Sequence, residues 1–119
     1  MREKDLDKWV GRYRRAWESN DPKDIGALWT EDAVFFRRPD EEPVQGRDAI
    51  VRAWLEVADA AGETTFEYEV LGFGDGVGFV RGWTTYLTNP PTLFSNLWVI
   101  RLDRSGRAHE FTEWWMQAP

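Results

Sequence analysis

Apolar positions in the first twenty residues recur with the period of a helix. Leu6, Trp9, Val10, Tyr13 and Trp17 fall at i, i+3, i+4, i+7 and i+11, one stripe along a helix over residues 5–19. Lys8, Arg12, Arg15 and Glu18 take the other side. Asn20-Asp21-Pro22 ends this helix and begins a short second one. Asp21 is placed to cap it, and Pro22 sits at the first helical position, where a missing N–H costs nothing. Asp24 puts negative charge in its first turn, and Ile25, Leu28 and Trp29 form its apolar face. Residues 33–36 read as a brief strand, and the acidic, proline-bounded residues 38–43 as an exposed loop. Gly46-Arg47-Asp48 opens a third helix. Its stripe is Ile50, Trp54, Val57, Ala58 and Ala61, and Gly62 is its stop residue.

Beyond Gly62 the period changes to two. Phe66, Tyr68 and Val70 alternate with Glu67, Glu69 and Leu71, and glycines at 72, 74, 76 and 78 surround a tight hairpin. Residues 79–88, 93–102 and 108–116 read as three further strands, separated by Asn89-Pro90-Pro91 and by Asp103-Arg104-Ser105-Gly106. The order α-α-β-α-β-β-β-β predicts an α+β fold with three N-terminal helices packed on a curved antiparallel sheet. A strongly bent sheet wrapped on helices leaves a cone with a mouth, where a pocket is expected. No internal repeat or linker divides residues 1–119, so one domain is the economical reading.

Composition sharpens the pocket. The chain has eight Trp against seven Phe and three Tyr. Each indole carries an N–H that needs a partner when buried, so some are expected to line a cavity or an interface. The absence of cysteine excludes disulfides, thiolate nucleophiles and cysteine-held metals, and fits a cytoplasmic protein. A net charge of -6 repels phosphate backbones, so no nucleic-acid partner is expected. No apolar run approaches the ~20 residues that span a bilayer, and the N-terminus lacks the apolar core of a secretory signal. One histidine without cysteine makes a transition-metal site a poor fit. No helix follows the glycine-rich segment Gly72-Phe73-Gly74-Asp75-Gly76, so it is no phosphate loop. Neither metal nor cofactor is expected.

Three segments carry a resemblance to a known family: Ala27-Leu28-Trp29-Thr30-Glu31-Asp32-Ala33-Val34-Phe35, Val44-Gln45-Gly46-Arg47-Asp48-Ala49-Ile50, and Ser105-Gly106-Arg107-Ala108 leading to Glu113-Trp114-Trp115. In this order and spacing the chain resembles the NTF2-like superfamily, and within it the SnoaL-like branch of small bacterial proteins. The resemblance implies the cone-shaped fold. It does not choose among isomerases, polyketide cyclases, epoxide hydrolases, dehydratases and members without chemistry.

Glu113 is the candidate catalytic residue. By resemblance it matches the position where SnoaL-like cyclases place an acid/base Asp. Among Trp and Phe a carboxylate is desolvated and its proton affinity rises; the competing reading pairs it with an Arg such as Arg37 or Arg81, or turns it to solvent. His109 shares parity with Phe111 and Glu113 but lies about 13 Å from Glu113 along an extended strand. The cyclase histidine falls nearer Phe111, which carries no proton. Asp32 is expected to close a turn. Tyr13, Trp17, Trp54, Tyr68, Trp83, Trp98, Phe111 and Trp115 are the candidate pocket-lining residues, although Trp17 and Trp54 equally satisfy helix stripes as core. Two functions follow. The pocket binds a small apolar or aromatic molecule, with Glu113 moving a proton next to a carbonyl. Alternatively, the domain is a non-catalytic binding or assembly module whose aromatics fill the pocket. The outer face of the sheet retains Trp, Leu and Val, which predicts a homodimer.

Overall fold

The computed structural model describes residues 1–119. Helix α1 (Glu3–Ser19) begins where the Arg2 N–H donates to Asp5 (2.8 Å) and ends where Asn20 turns left-handed, its N–H returning to the Ala16 carbonyl. Helix α2 (Pro22–Gly26) is capped by Asp21, whose carboxylate accepts from the Lys23 N–H at 2.8 Å. Strand β1 (Trp29–Phe36), strand β2 (Val44–Gln45), helix α3 (Arg47–Glu56) and strands β3 (Thr64–Gly74), β4 (Val77–Tyr86), β5 (Thr92–Leu102) and β6 (Ala108–Gln117) follow. The three helices and the α+β class agree with the periodicities of the sequence, and the structure adds the two-residue strand β2 before α3.

One six-stranded sheet runs β2-β1-β6-β5-β4-β3. It is not wholly antiparallel. β1 and β6 pair in parallel, with Phe35 beside Phe111 and Phe36 beside Thr112, while every other pair is antiparallel. The parallel pair also explains Trp29, which the helical stripe had assigned to the second helix. The Leu28 carbonyl accepts both the Ala108 N–H (2.8 Å) and the Trp9 indole N–H (3.0 Å). Those partners draw the backbone into the sheet one residue later, and Trp29 opens β1. Tertiary pairing here overrides a local apolar pattern.

Helix α3 is shorter than its stripe, ending at Glu56 instead of near Ala61. Asp59 is held from α1: its carboxylate accepts the Trp17 indole N–H at 3.1 Å, and its carbonyl accepts the Asn20 amide at 2.8 Å. These bonds pull Val57–Ala61 off the helix axis.

The core lies between the helices and one face of the sheet. Leu6, Trp9, Val10 and Ala16 of α1 meet Trp29, Phe35, Val80, Trp98, Ile100 and Phe111. Rings in this cluster pack tilted, stacked or edge to face, with Trp9 5.7 Å from Phe111 and Trp98 5.4 Å from Phe111; such pairs add ~0.5–1.5 kcal/mol beyond area burial. Two inward positions of β4 must be glycine. A Cβ on Gly78 would collide with Leu6 and one on Gly82 with Phe66, so the missing side chains admit α1 and let Phe66 lie flat on Trp98 (4.9 Å, 14°). No helix is long and apolar enough to cross a membrane.

Candidate active site

The inner face of β5 reads Phe94, Asn96, Trp98, Ile100, with Asn96 a buried polar side chain among apolar ones. On β6 the inward phase is Phe111, Glu113, Trp115. Register sets Glu113 directly opposite Trp98 and Trp115 opposite Asn96. The Trp98 indole N–H therefore donates to Glu113 Oε2 at 2.8 Å, and the Asn96 amide donates to the same oxygen at 3.0 Å. Thr84 on β4 donates its hydroxyl to Asn96 Oδ1 at 2.8 Å, which fixes the amide. Both donors converge on Oε2. Oε1 makes no protein hydrogen bond and is not sealed off.

This carboxyl opens into a cavity of about 380 Å³ walled mainly by Tyr13, Trp17, Phe35, Trp54, Phe94 and Trp115. Val57, Ala58 and Asp59 close one side, and Tyr86 and Arg37 complete the polar lining. Burial raises the proton affinity of Glu113 above the ordinary carboxylate range, against the opposing pull of the Trp98 and Asn96 donors. Burial, and then the nearby Glu113, raise the Tyr13 phenol well above its ordinary value. Tyr86 is raised by burial and by Asp59 and Glu113. Neither phenol oxygen has a protein partner or is shut away, so both remain O–H donors facing the cavity at neutral pH. A carboxyl with one anchored and one free oxygen can take or give a proton. A neutral phenol beside it can hold an oxygen on which charge develops.

Of the candidate lining residues, Tyr13, Trp17, Trp54, Trp98 and Trp115 border the cavity with Glu113. Three do not. Tyr68 reaches outward to Asp7, its hydroxyl donating at 2.9 Å. Trp83 lies on the outer face of the sheet beneath the Arg81 guanidinium, 4.8 Å from its ring. Phe111 is fully buried against Trp9 and Phe35, below the cavity floor. The adjacent Trp114 and Trp115 point to opposite faces, as alternation requires.

Neither arginine pairs with Glu113. Arg81 pairs with Glu69 at 3.8 Å on the outer face, and Arg37 makes no ion pair. His109 stands exposed at a register shift between β5 and β6. That shift breaks the parity it would share with Glu113. Asp32 is exposed on β1 and accepts the Thr30 hydroxyl at 3.0 Å, so it closes no turn. Sequence reasoning did not single out Asn96, Thr84 or Asp59. Asn96 carried a signal, a polar residue in the apolar phase of a strand. Asp59 carried none, because the extended helical stripe hid it.

The sequence profile described as SnoaL-like domain matches residues 10–114. No curated protein matches the chain. Among solved structures the fold is similar to that of SalBIII, an epoxide hydrolase/cyclase-like enzyme in pyran ring formation in the polyether salinomycin. The two share 18% identity at a TM-score of 0.74, over 96% of this chain and 92% of that one. At this identity the likeness is one of fold.

Proposed function

The chain belongs to the SnoaL-like domain family, and on that premise we propose that it is a single-domain pocket protein in which Glu113 moves a proton next to a carbonyl group. The ligand is a small, largely apolar or aromatic molecule, seated between Trp54, Trp98 and Phe94. Isomerisation, cyclisation and dehydration all belong to this reaction class. Tyr13, with Tyr86 beside it, holds the carbonyl oxygen as charge moves onto it, and the free Oε1 of Glu113 exchanges the proton. The observation that carries this reading is the environment of Glu113: a carboxyl held at one oxygen by two neutral donors, with raised proton affinity and an open face toward the cavity. A carboxylate closed in an ion pair could not serve.

Exchange of deuterium into the carbon next to the carbonyl of 2-tetralone in heavy water, followed by proton NMR, tests the assignment. The wild-type protein is expected to accelerate exchange above the buffer rate, and Glu113→Gln to lose about 10²-fold or more of that acceleration. Equal rates for the two proteins would remove Glu113 from the chemistry. Binding of the ketone without exchange would favour a ligand-binding domain that uses the same cavity without chemistry. The reading also includes a homodimer formed through the outer face of the sheet.

A further inference from the structure

We propose that the ligand is a monocarboxylate, an apolar acid whose carboxylate docks on Arg37 while its body fills the aromatic cavity. This rests on the reading of the cavity as a small-molecule site, and names the class of molecule it selects.

Arg37 and Arg38 follow the end of β1. Arg38 is exposed. Its guanidinium meets Asp40 at 3.3 Å and lies 5.6 Å from the Trp115 ring. Arg37 lines the cavity. It is the only cation in that lining, it is partly buried, and it makes neither an ion pair nor a hydrogen bond.

Two acids, Glu113 and Asp59, share its cavity, and neither pairs with it. β1 and β6 run in parallel register through Phe35 and Phe111 and then Phe36 and Thr112. The ladder ends there, and Arg37 follows it in a bend that lines the cavity. Glu113 is bound instead by the Asn96 and Trp98 donors of β5. A cation and a carboxyl thus flank one opening without neutralising each other.

Guanidinium presents a planar fork that matches a carboxylate with two parallel hydrogen bonds. Phe35, Phe94 and Trp115 line the same cavity, and apolar walls strengthen such a contact relative to open water. The charge count favours a single negative charge over a phosphate dianion. Glu113 and Asp59 share the lining with one arginine, and the chain as a whole carries -6. The volume, about 380 Å³, falls in the range of pockets that take a compact small molecule.

The test compares 2-naphthoate with its neutral isostere 2-naphthamide, titrated into the full chain by calorimetry. Wild type is expected to bind the carboxylate about tenfold or more tighter than the amide. Arg37→Gln is expected to abolish that preference, and Arg37→Lys to keep part of it as a point charge. Glu113→Gln is expected to retain the preference. Because Arg37 makes no bond within the fold, its variants should unfold at the wild-type temperature. Equal binding of acid and amide by wild type, or a preference that survives Arg37→Gln, overturns the proposal and leaves the pocket reading standing. If neither compound binds, both fall. A carboxylate preference in a protein that fails the 2-tetralone exchange would uphold the ligand class and end the catalytic reading.

Discussion

Neutral donors, and no cation, hold Glu113. Trp98 and Asn96 stabilise its charged form in part, yet burial dominates and the carboxyl binds its proton more tightly folded than unfolded. The sign for stability follows. In the unfolded chain a glutamate titrates near 4.3. Below that pH both states are protonated and the contribution of Glu113 is fully present. As the pH rises through the raised folded value, the folded state must ionise a buried group and stability is lost. Glu113→Gln keeps an oxygen for Asn96 and Trp98 but cannot ionise. Its stability relative to wild type should therefore increase between about pH 4 and pH 7. Urea unfolding across that range checks this, and curves that stay parallel would contradict it.

The connection from α3 to β3 illustrates control at the level of elements. Its residues Val57, Ala58 and Asp59 wall the cavity although they lack regular structure. What positions them is α1, through the Trp17 indole and the Asn20 amide. Trp17→Phe keeps a ring beside Tyr13 and Phe66 but deletes the N–H to Asp59. Global stability should fall by about 1 kcal/mol, the scale of one partly exposed hydrogen bond. Amide exchange in residues 58–63 should quicken much more than in β4 and β5. Unchanged protection there would show that the segment is held by other contacts.

On the scale of the whole molecule, the helices cover one face of the sheet and leave the other open, with large apolar side chains beside the Arg81–Glu69 pair. Phe79, Trp83, Leu93, Trp114 and Met116 are each more than a third exposed, and Leu97 and Val99 lie among them in the same phase. Exposed apolar side chains in such number on one face mark an interaction site. A second copy of the chain is the occupant we propose, because these side chains are exposed on β4, β5 and β6, on the face the helices leave uncovered. Equilibrium sedimentation should return twice the 13.9 kDa chain mass for wild type and the single mass for Trp114→Glu. Only the single mass for wild type at micromolar concentration would remove the dimer.

Local periodicity carries much of this protein. The stripe from Leu6 to Trp17, the Asp21-Pro22 cap, the alternation after Gly62 and the opposite orientations of Trp114 and Trp115 depend on neighbours within a few residues, and all were legible in the chain. Glu113 was legible as a carboxylate among aromatics, without its partners. Its anchors come from β5, the phenol beside it from α1, and the lone arginine from the bend after β1. Pairing and packing across tens of residues bring these together. The same long-range pairing moved Trp29 from helix to strand, ended α3 at Glu56 and turned His109 away from the cavity. A strand's alternation states that two faces differ. Which face turns inward is decided only when its neighbours and the helices are in place, because the free energy that selects it comes from burial against them.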